Sequence, residues 1–240
     1  MNILITGGSS GLGEAITRIL AKDSKNTIFF TYSNSNQNAK AIELDFNNAL
    51  SIKCNFKNES EVTTLVNKID NLNIDVLINN AYTGNAIHTH FHKIPQENFT
   101  FNFINNIVPA IRITQSVIAH FRKKKRGKLI TILTSFLANT PPLGASCYVA
   151  NKAYLESLVK SWANENIKFN ITSNSVSPSF MQTKLTSDVD DRIIEQMISN
   201  HPLKKLLTVE EVAETVLFLT KASSQINGVD IIMNAGVNIK

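Results

Sequence analysis

The chain has almost no cysteine: only Cys54 and Cys147 occur in 240 residues. They have no metal-ligand spacing and cannot build a disulfide framework, so a reducing, cytoplasmic setting is expected. Long apolar runs are also missing. No uninterrupted stretch approaches the roughly 20 residues that a membrane-spanning helix needs, and no membrane partner is expected. The segment Met1-Asn2-Ile3-Leu4-Ile5-Thr6-Gly7-Gly8 has no basic lead and enters a strand pattern at once, unlike a signal peptide. Repeats, linkers and low-complexity runs are absent. A net charge of +5 could attract an acidic protein or an anionic substrate. The one dense basic run, Arg122-Lys123-Lys124-Lys125-Arg126, falls at the end of a predicted helix, where cations favour the helix dipole. It lacks the interleaved aromatics of a nucleic-acid face, so no nucleic-acid partner is expected.

What the chain does have is alternation. Apolar, β-prone runs at about 2–6, 27–32, 49–54, 74–78, 128–134, 169–176 and 229–233 are separated by segments of helical periodicity. Strictly alternating strands and helices predict a parallel sheet. The expected fold is α/β: a single doubly wound (Rossmann) domain over residues 1–240, a seven-stranded parallel sheet with helices on both faces, and a substrate-loop insertion at about 180–207. Thr208 and Glu211 have the spacing of a capping box before the last helix. Pro109 falls inside a long helix predicted at about 99–121 and frees the carbonyl of Asn105. That break beside Asn106 is either a kink or an opening in which Asn106 holds a water.

The first strand runs into Thr6-Gly7-Gly8-Ser9-Ser10-Gly11-Leu12-Gly13 and then a helix. Glycines permit a tight turn and close backbone approach, and a helix N-terminus attracts phosphate. Gly7, Ser9, Ser10, Gly11, Leu12 and Gly13 are therefore candidate dinucleotide contacts. A carboxylate that would grip a ribose 2′-hydroxyl is missing at the end of the second strand, which reads Ser33-Asn34-Ser35-Asn36. Its absence admits a 2′-phosphate and favours NADP(H) over NAD(H). No arginine stands at Ser10 or at the strand end, so Ser33, Asn34 and Lys40 would supply the donors. Asn55 is a candidate adenine contact, and Asn79-Asn80-Ala81 would reach the carboxyl edge of the sheet. His88, His90 and His92 lack a supporting acidic or cysteine ligand and read as a surface loop, not a metal site. Cys147 has no nearby histidine to act as its base and reads as a wall residue.

Tyr148 and Lys152 are four residues apart, on one face of a predicted helix, with Ser135 thirteen residues upstream of the tyrosine. A phenol titrates near ~10, and an adjacent ammonium favours its anion. Such a trio could protonate a ketone or deprotonate an alcohol.

Taken together these residues resemble the short-chain dehydrogenase/reductase family over essentially the whole chain. Thr6 to Gly13 matches the family's TGxxxGxG turn, and Asn79-Asn80-Ala81 its NNAG segment. Ser135, Tyr148 and Lys152 match its catalytic residues in order and spacing. Asn106 falls at its helix asparagine, and Thr183, five after Pro178, matches the threonine that meets the nicotinamide carboxamide. Within the family the chain looks most like 3-oxoacyl-(acyl-carrier-protein) reductases. The resemblance implies an NADP(H)-dependent ketone reductase in which Tyr148 is the acid, Lys152 tunes it and binds the nicotinamide ribose, Ser135 holds the substrate oxygen and Asn106 holds a water. It leaves two alternatives: a dehydrogenase of a sugar, polyol, steroid or other small alcohol, and a silent cofactor-binding scaffold or sensor. It also implies a homotetramer or homodimer. The substrate, small or carrier-tethered, would meet Ser135, Phe136, Leu143, Tyr148 and Phe180, and Arg126 or Lys128 could meet an acidic carrier. The chain departs from the pattern at four places. Tyr82 and Ser179 stand where glycines are usual, Asn55 where an aspartate is usual, and Asn234-Ala235-Gly236 where DGG is usual.

Overall fold

The computed structural model describes residues 1–84, 86, 89–183, 186 and 189–237. His88 and part of the 180–207 insertion lie outside the described residues. Seven strands form one sheet: β1 Asn2–Ile5, β2 Thr27–Tyr32, β3 Ala49–Lys53, β4 Val76–Asn79, β5 Gly127–Ile132, β6 Ile171–Pro178 and β7 Asp230–Met233. Their order is β3-β2-β1-β4-β5-β6-β7, and every pair is parallel. The described helices are α1 Gly11–Ala21, α2 Asn36–Asp45, α3 Glu59–Leu72, α4 Gln96–Lys124, α5 Ser146–Asn166, α6 Asp191–Asn200 and α7 Val209–Lys221.

Alternation along each strand divides the core into two layers. Ile3, Ile5, Val76, Ile78, Ile130 and Ile132 point to one face, where they meet Ile16 and Leu20 of α1 and Val212 and Val216 of α7. Leu4, Leu77 and Leu129 point to the other, against Leu65 and Ile69 of α3, Ile113 and Val117 of α4 and Val159 of α5. Helices α1, α3, α4 and α7 bury residues three or four apart, the stripe that a period of 3.6 gives. Helix ends are fixed locally. Asn58 caps α3 by accepting from the N–H groups of Ser60 and Glu61. Thr208 and Glu211 form the expected capping box at α7.

Pro109 does not interrupt α4, which runs unbroken across it. The basic run at the end of α4 is less free than a solvated turn would be. Lys124 Nζ reaches Asp75 at 2.8 Å and the carbonyls of Asn73 and Ile74, and Arg122 Nε reaches Asn166 at 2.7 Å. These cations tie α4 to its neighbours. Lys128, expected to meet a carrier, donates to the carbonyl of Ala222. Both Arg126 and Lys128 lie at the amino edge of the sheet, where β5 begins. The chain reverses direction through the sheet between β1 and β4, and ligands of doubly wound sheets bind at the carboxyl edge of such a point.

Candidate active site

A cleft of about 580 Å³ opens at that carboxyl edge. The turn after β1 forms its floor. Gly7 and Gly11 have φ of +67° and +52°, in the left-handed region that favours glycine. A Cβ at Gly13 would lie 2.0 Å from the Gly7 carbonyl oxygen and 2.6 Å from Asn80 Nδ2. The turn can close only because that atom is missing. Ser10, at the N-cap of α1, makes no side-chain cap bond. The first N–H groups of α1 are thus left to an anion, as the pyrophosphate of a dinucleotide requires.

The cleft brings together every residue expected to hold a dinucleotide except Asn79 and Lys40. Gly7, Ser9 to Gly13, Ser33, Asn34, Asn55 and Ala81 line it, as do Tyr148, Lys152, Pro178 and Thr183. Asn79 does not. As the last residue of β4 it shares the face of Leu77, and its Nδ2 donates to Thr114 of α4 at 2.9 Å. Asn80 takes the place at the edge, donating from Nδ2 to the carbonyls of Thr6 and Gly7. Lys40 is exposed on α2 and does not line the cleft; Lys57 does. Among the described residues, Asp and Glu are absent from the lining, whose charged members are Lys57 and Lys152. Asn55 Oδ1 already accepts from the N–H of Lys57 at 3.0 Å, and its second lone pair stays available.

Helix α5 presents Tyr148 and Lys152 to the cleft. Burial pushes the Tyr148 phenol above its ordinary range; the Thr134 hydroxyl pulls it back and Tyr82 adds to the rise. Lys152 is buried, donates to the Ile132 carbonyl at 2.7 Å, and is pushed down to about 8 by desolvation. Desolvation acts on both groups, and it disfavours the charged form of each. The sequence gives no sign of the part played by Thr134. Ser135, expected to hold the substrate oxygen, is buried in a short 3₁₀ turn, where its carbonyl accepts from the N–H groups of Ala138 and Asn139, and it does not line the cleft.

Asn106 is buried on α4. Its Oδ1 accepts from the N–H of Thr83 at 2.6 Å, and its Nδ2 donates to the carbonyls of Thr83 and Asn102. The side-chain amide clamps the loop after β4. Asn106→Ala should cost roughly 1–3 kcal/mol, because it strands the Thr83 N–H. The melting temperature should fall by several degrees; an unchanged melt would refute the clamp.

The expected substrate residues are dispersed. Leu143 is 78% exposed and lines a separate hollow of about 490 Å³ with His90, Phe91, His92, Pro141 and Pro142. Phe136 and Phe180 line neither cavity. Cys147 is buried behind Tyr148, and burial pushes its thiol up, away from nucleophilic chemistry.

Residues 7–238 match the family profile described as Enoyl-(Acyl carrier protein) reductase. The 3-oxoacyl-(acyl-carrier-protein) reductase of Buchnera aphidicola subsp. Baizongia pistaciae is 31% identical over 98% of this chain and 96% of its own. Two solved structures share the fold. A 3-ketoacyl-(acyl-carrier-protein) reductase from Brucella melitensis, complexed with NADH, superposes with a TM-score of 0.87 at 23% identity, covering 99% of this chain and 98% of its own. A short chain dehydrogenase from Burkholderia cenocepacia, in complex with NADP, gives 0.85 at 23% identity, covering 99% of this chain and 97% of its own.

Proposed function

The chain belongs to the short-chain dehydrogenase/reductase family of oxidoreductases, and we propose that it reduces a ketone, carried as a 3-oxoacyl thioester or a related compound, to a secondary alcohol with NADPH. The observation that carries this reading is the convergence of the glycine turn, Tyr148 and Lys152 on one cleft. The family relative named as a 3-oxoacyl reductase supports the substrate class. The absence of a lining carboxylate among the described residues, together with Ser33, Asn34 and Lys57, supports a 2′-phosphate.

When bound, the reduced nicotinamide supplies the hydride. The first turn of α1 would hold the pyrophosphate, and Thr183, packed 3.5 Å from where a Gly11 Cβ would stand, would meet the carboxamide. The phenol of Tyr148 donates its proton to the developing alkoxide, so the ketone gains hydride and proton and leaves as the alcohol. A raised phenol is protonated at neutral pH, the form an acid in reduction needs. Lys152 then neutralises the phenolate, and Thr134 orients the hydroxyl.

Turnover should be followed by nicotinamide absorbance, with NADPH or NADH against an acetoacetyl thioester and a panel of secondary alcohols. The expected result is faster oxidation of NADPH with the thioester, with kcat falling as pH rises through about 8, where Lys152 loses its charge. The sign follows from the downward shift: Lys152 is charged below that value and neutral above it. A preference for NADH, or a kcat flat through that range, would count against the cofactor and lysine assignments respectively. Cofactor binding without turnover on any carbonyl or alcohol would sink the enzymatic reading.

A further inference from the structure

We propose that Tyr82 is a positioning residue for the proton-transfer pair Tyr148 and Lys152, a role that rests on the reading of those two residues given above. Its ring stands edge-to-face on the Tyr148 ring, with centroids 5.0 Å apart and planes at 82°. That arrangement places the positive edge of one ring on the negative face of the other. The Lys152 ammonium lies 5.5 Å from the Tyr82 centroid and 5.7 Å from the Tyr148 centroid. Two ring faces thus share one cation. Tyr82 thereby restrains the plane of the acid and the place of the charge that steadies it.

Tyr82 is itself held from both sides along the chain. The N–H groups of Asn80 and Ala81 both donate to Thr6 Oγ1, at 3.0 and 3.1 Å. Thr83 is gripped at both backbone groups by Asn106. At the far end, the Tyr82 hydroxyl is sealed from water beside Asn151 of α5. Burial raises the phenol to about 12 even though Asn151 draws it down. Neither that hydroxyl nor Asn151 Nδ2 closes a well-aligned hydrogen bond. The restraint therefore resides in the ring. The glycine usual at this position would leave both contacts of the Tyr82 ring empty, and Lys152 would keep its bond to Ile132 and the Tyr148 ring alone.

The test compares Tyr82→Phe, Tyr82→Leu and Tyr82→Gly for kcat, ketone KM, cofactor Kd and melting temperature. Tyr82→Phe keeps the ring and should stay within about 3-fold of wild type in kcat. Tyr82→Leu and Tyr82→Gly should lose about 10- to 100-fold in kcat through misplacement of the acid. KM and Kd should stay within about 3-fold, the split expected when transition-state geometry alone suffers. Full kcat in the ring-less variants, an equal loss in Tyr82→Phe, or a parallel collapse of cofactor affinity would each overturn the proposal. A crystal structure of Tyr82→Leu gives an answer that does not depend on turnover. A rotated Tyr148 ring or a displaced Lys152 is expected, and an unmoved pair would overturn the assignment. Wild-type turnover decides the parent reading separately.

Discussion

Tyr148→Phe should lose about 10²- to 10⁴-fold in kcat, the range attributed to general acid catalysis, while binding cofactor as the wild type does. The substitution removes one oxygen and keeps the ring that Tyr82 contacts at 5.0 Å. The glycine turn, Asn55, Lys152 and Thr183 are untouched, so of the groups that would hold the dinucleotide only the Tyr148 hydroxyl is lost. Folding should change little as well: the variant gives up one hydroxyl interaction, with Thr134. Kinetics with an acetoacetyl thioester and a fluorescence titration with NADPH measure the two quantities in one preparation. Undiminished turnover would remove Tyr148 from the mechanism. Loss of cofactor affinity in step with kcat would make it a binding residue instead.

Gly13→Ala should abolish cofactor binding at ordinary concentrations. The new methyl group would stand 2.0 Å from the Gly7 carbonyl oxygen and 2.6 Å from Asn80 Nδ2, far inside van der Waals contact. Neither neighbour can yield cheaply. Gly7 is backbone, and Asn80 Nδ2 is already bonded to the carbonyls of Thr6 and Gly7. Overpacking of this kind costs typically 1–3 kcal/mol and occasionally more. Borne by the turn that grips the pyrophosphate, it corresponds to about 10- to 100-fold or more in affinity. The stability loss should lower the melting temperature by about 2–4 °C per kcal/mol in a chain of this length. Gly11→Ala, with nothing closer than 3.5 Å to its added Cβ but φ of +52°, should do less damage. Equal cofactor affinity in Gly13→Ala and wild type would show that the turn is not the phosphate site.

The fold was legible because its signals are local. Alternating Ile and Leu in β1, β4 and β5 divide the core into the two layers observed. Short apolar runs joined by helical stripes leave few other architectures. The glycine turn was legible for the same reason. What escaped the sequence depends on facing and on depth. Asn79 looked like an edge residue, yet the alternation that puts Ile78 toward α1 puts Asn79 toward α4, and that signal was present. Lys128 looked like a surface cation, yet it is the second residue of β5, at the edge opposite the cleft. Thr134 could not have been chosen over Ser135 from adjacent hydroxyls alone. Nor does a spacing of four between a tyrosine and a lysine reveal how deeply both are buried. Tyr82 was marked only as a departure from glycine; its contact with Tyr148 joins residues far apart in the chain.

The central claim is that the Tyr148 phenol faces a nicotinamide held by the glycine turn. A crystal structure with NADP and a ketone or alcohol ligand tests it most directly. The account predicts the pyrophosphate on the first turn of α1, the nicotinamide ribose against Lys152, and the ligand oxygen within hydrogen-bonding reach of the Tyr148 hydroxyl. A dinucleotide seated elsewhere, or a ligand oxygen with Tyr148 still buried out of its reach, would contradict it.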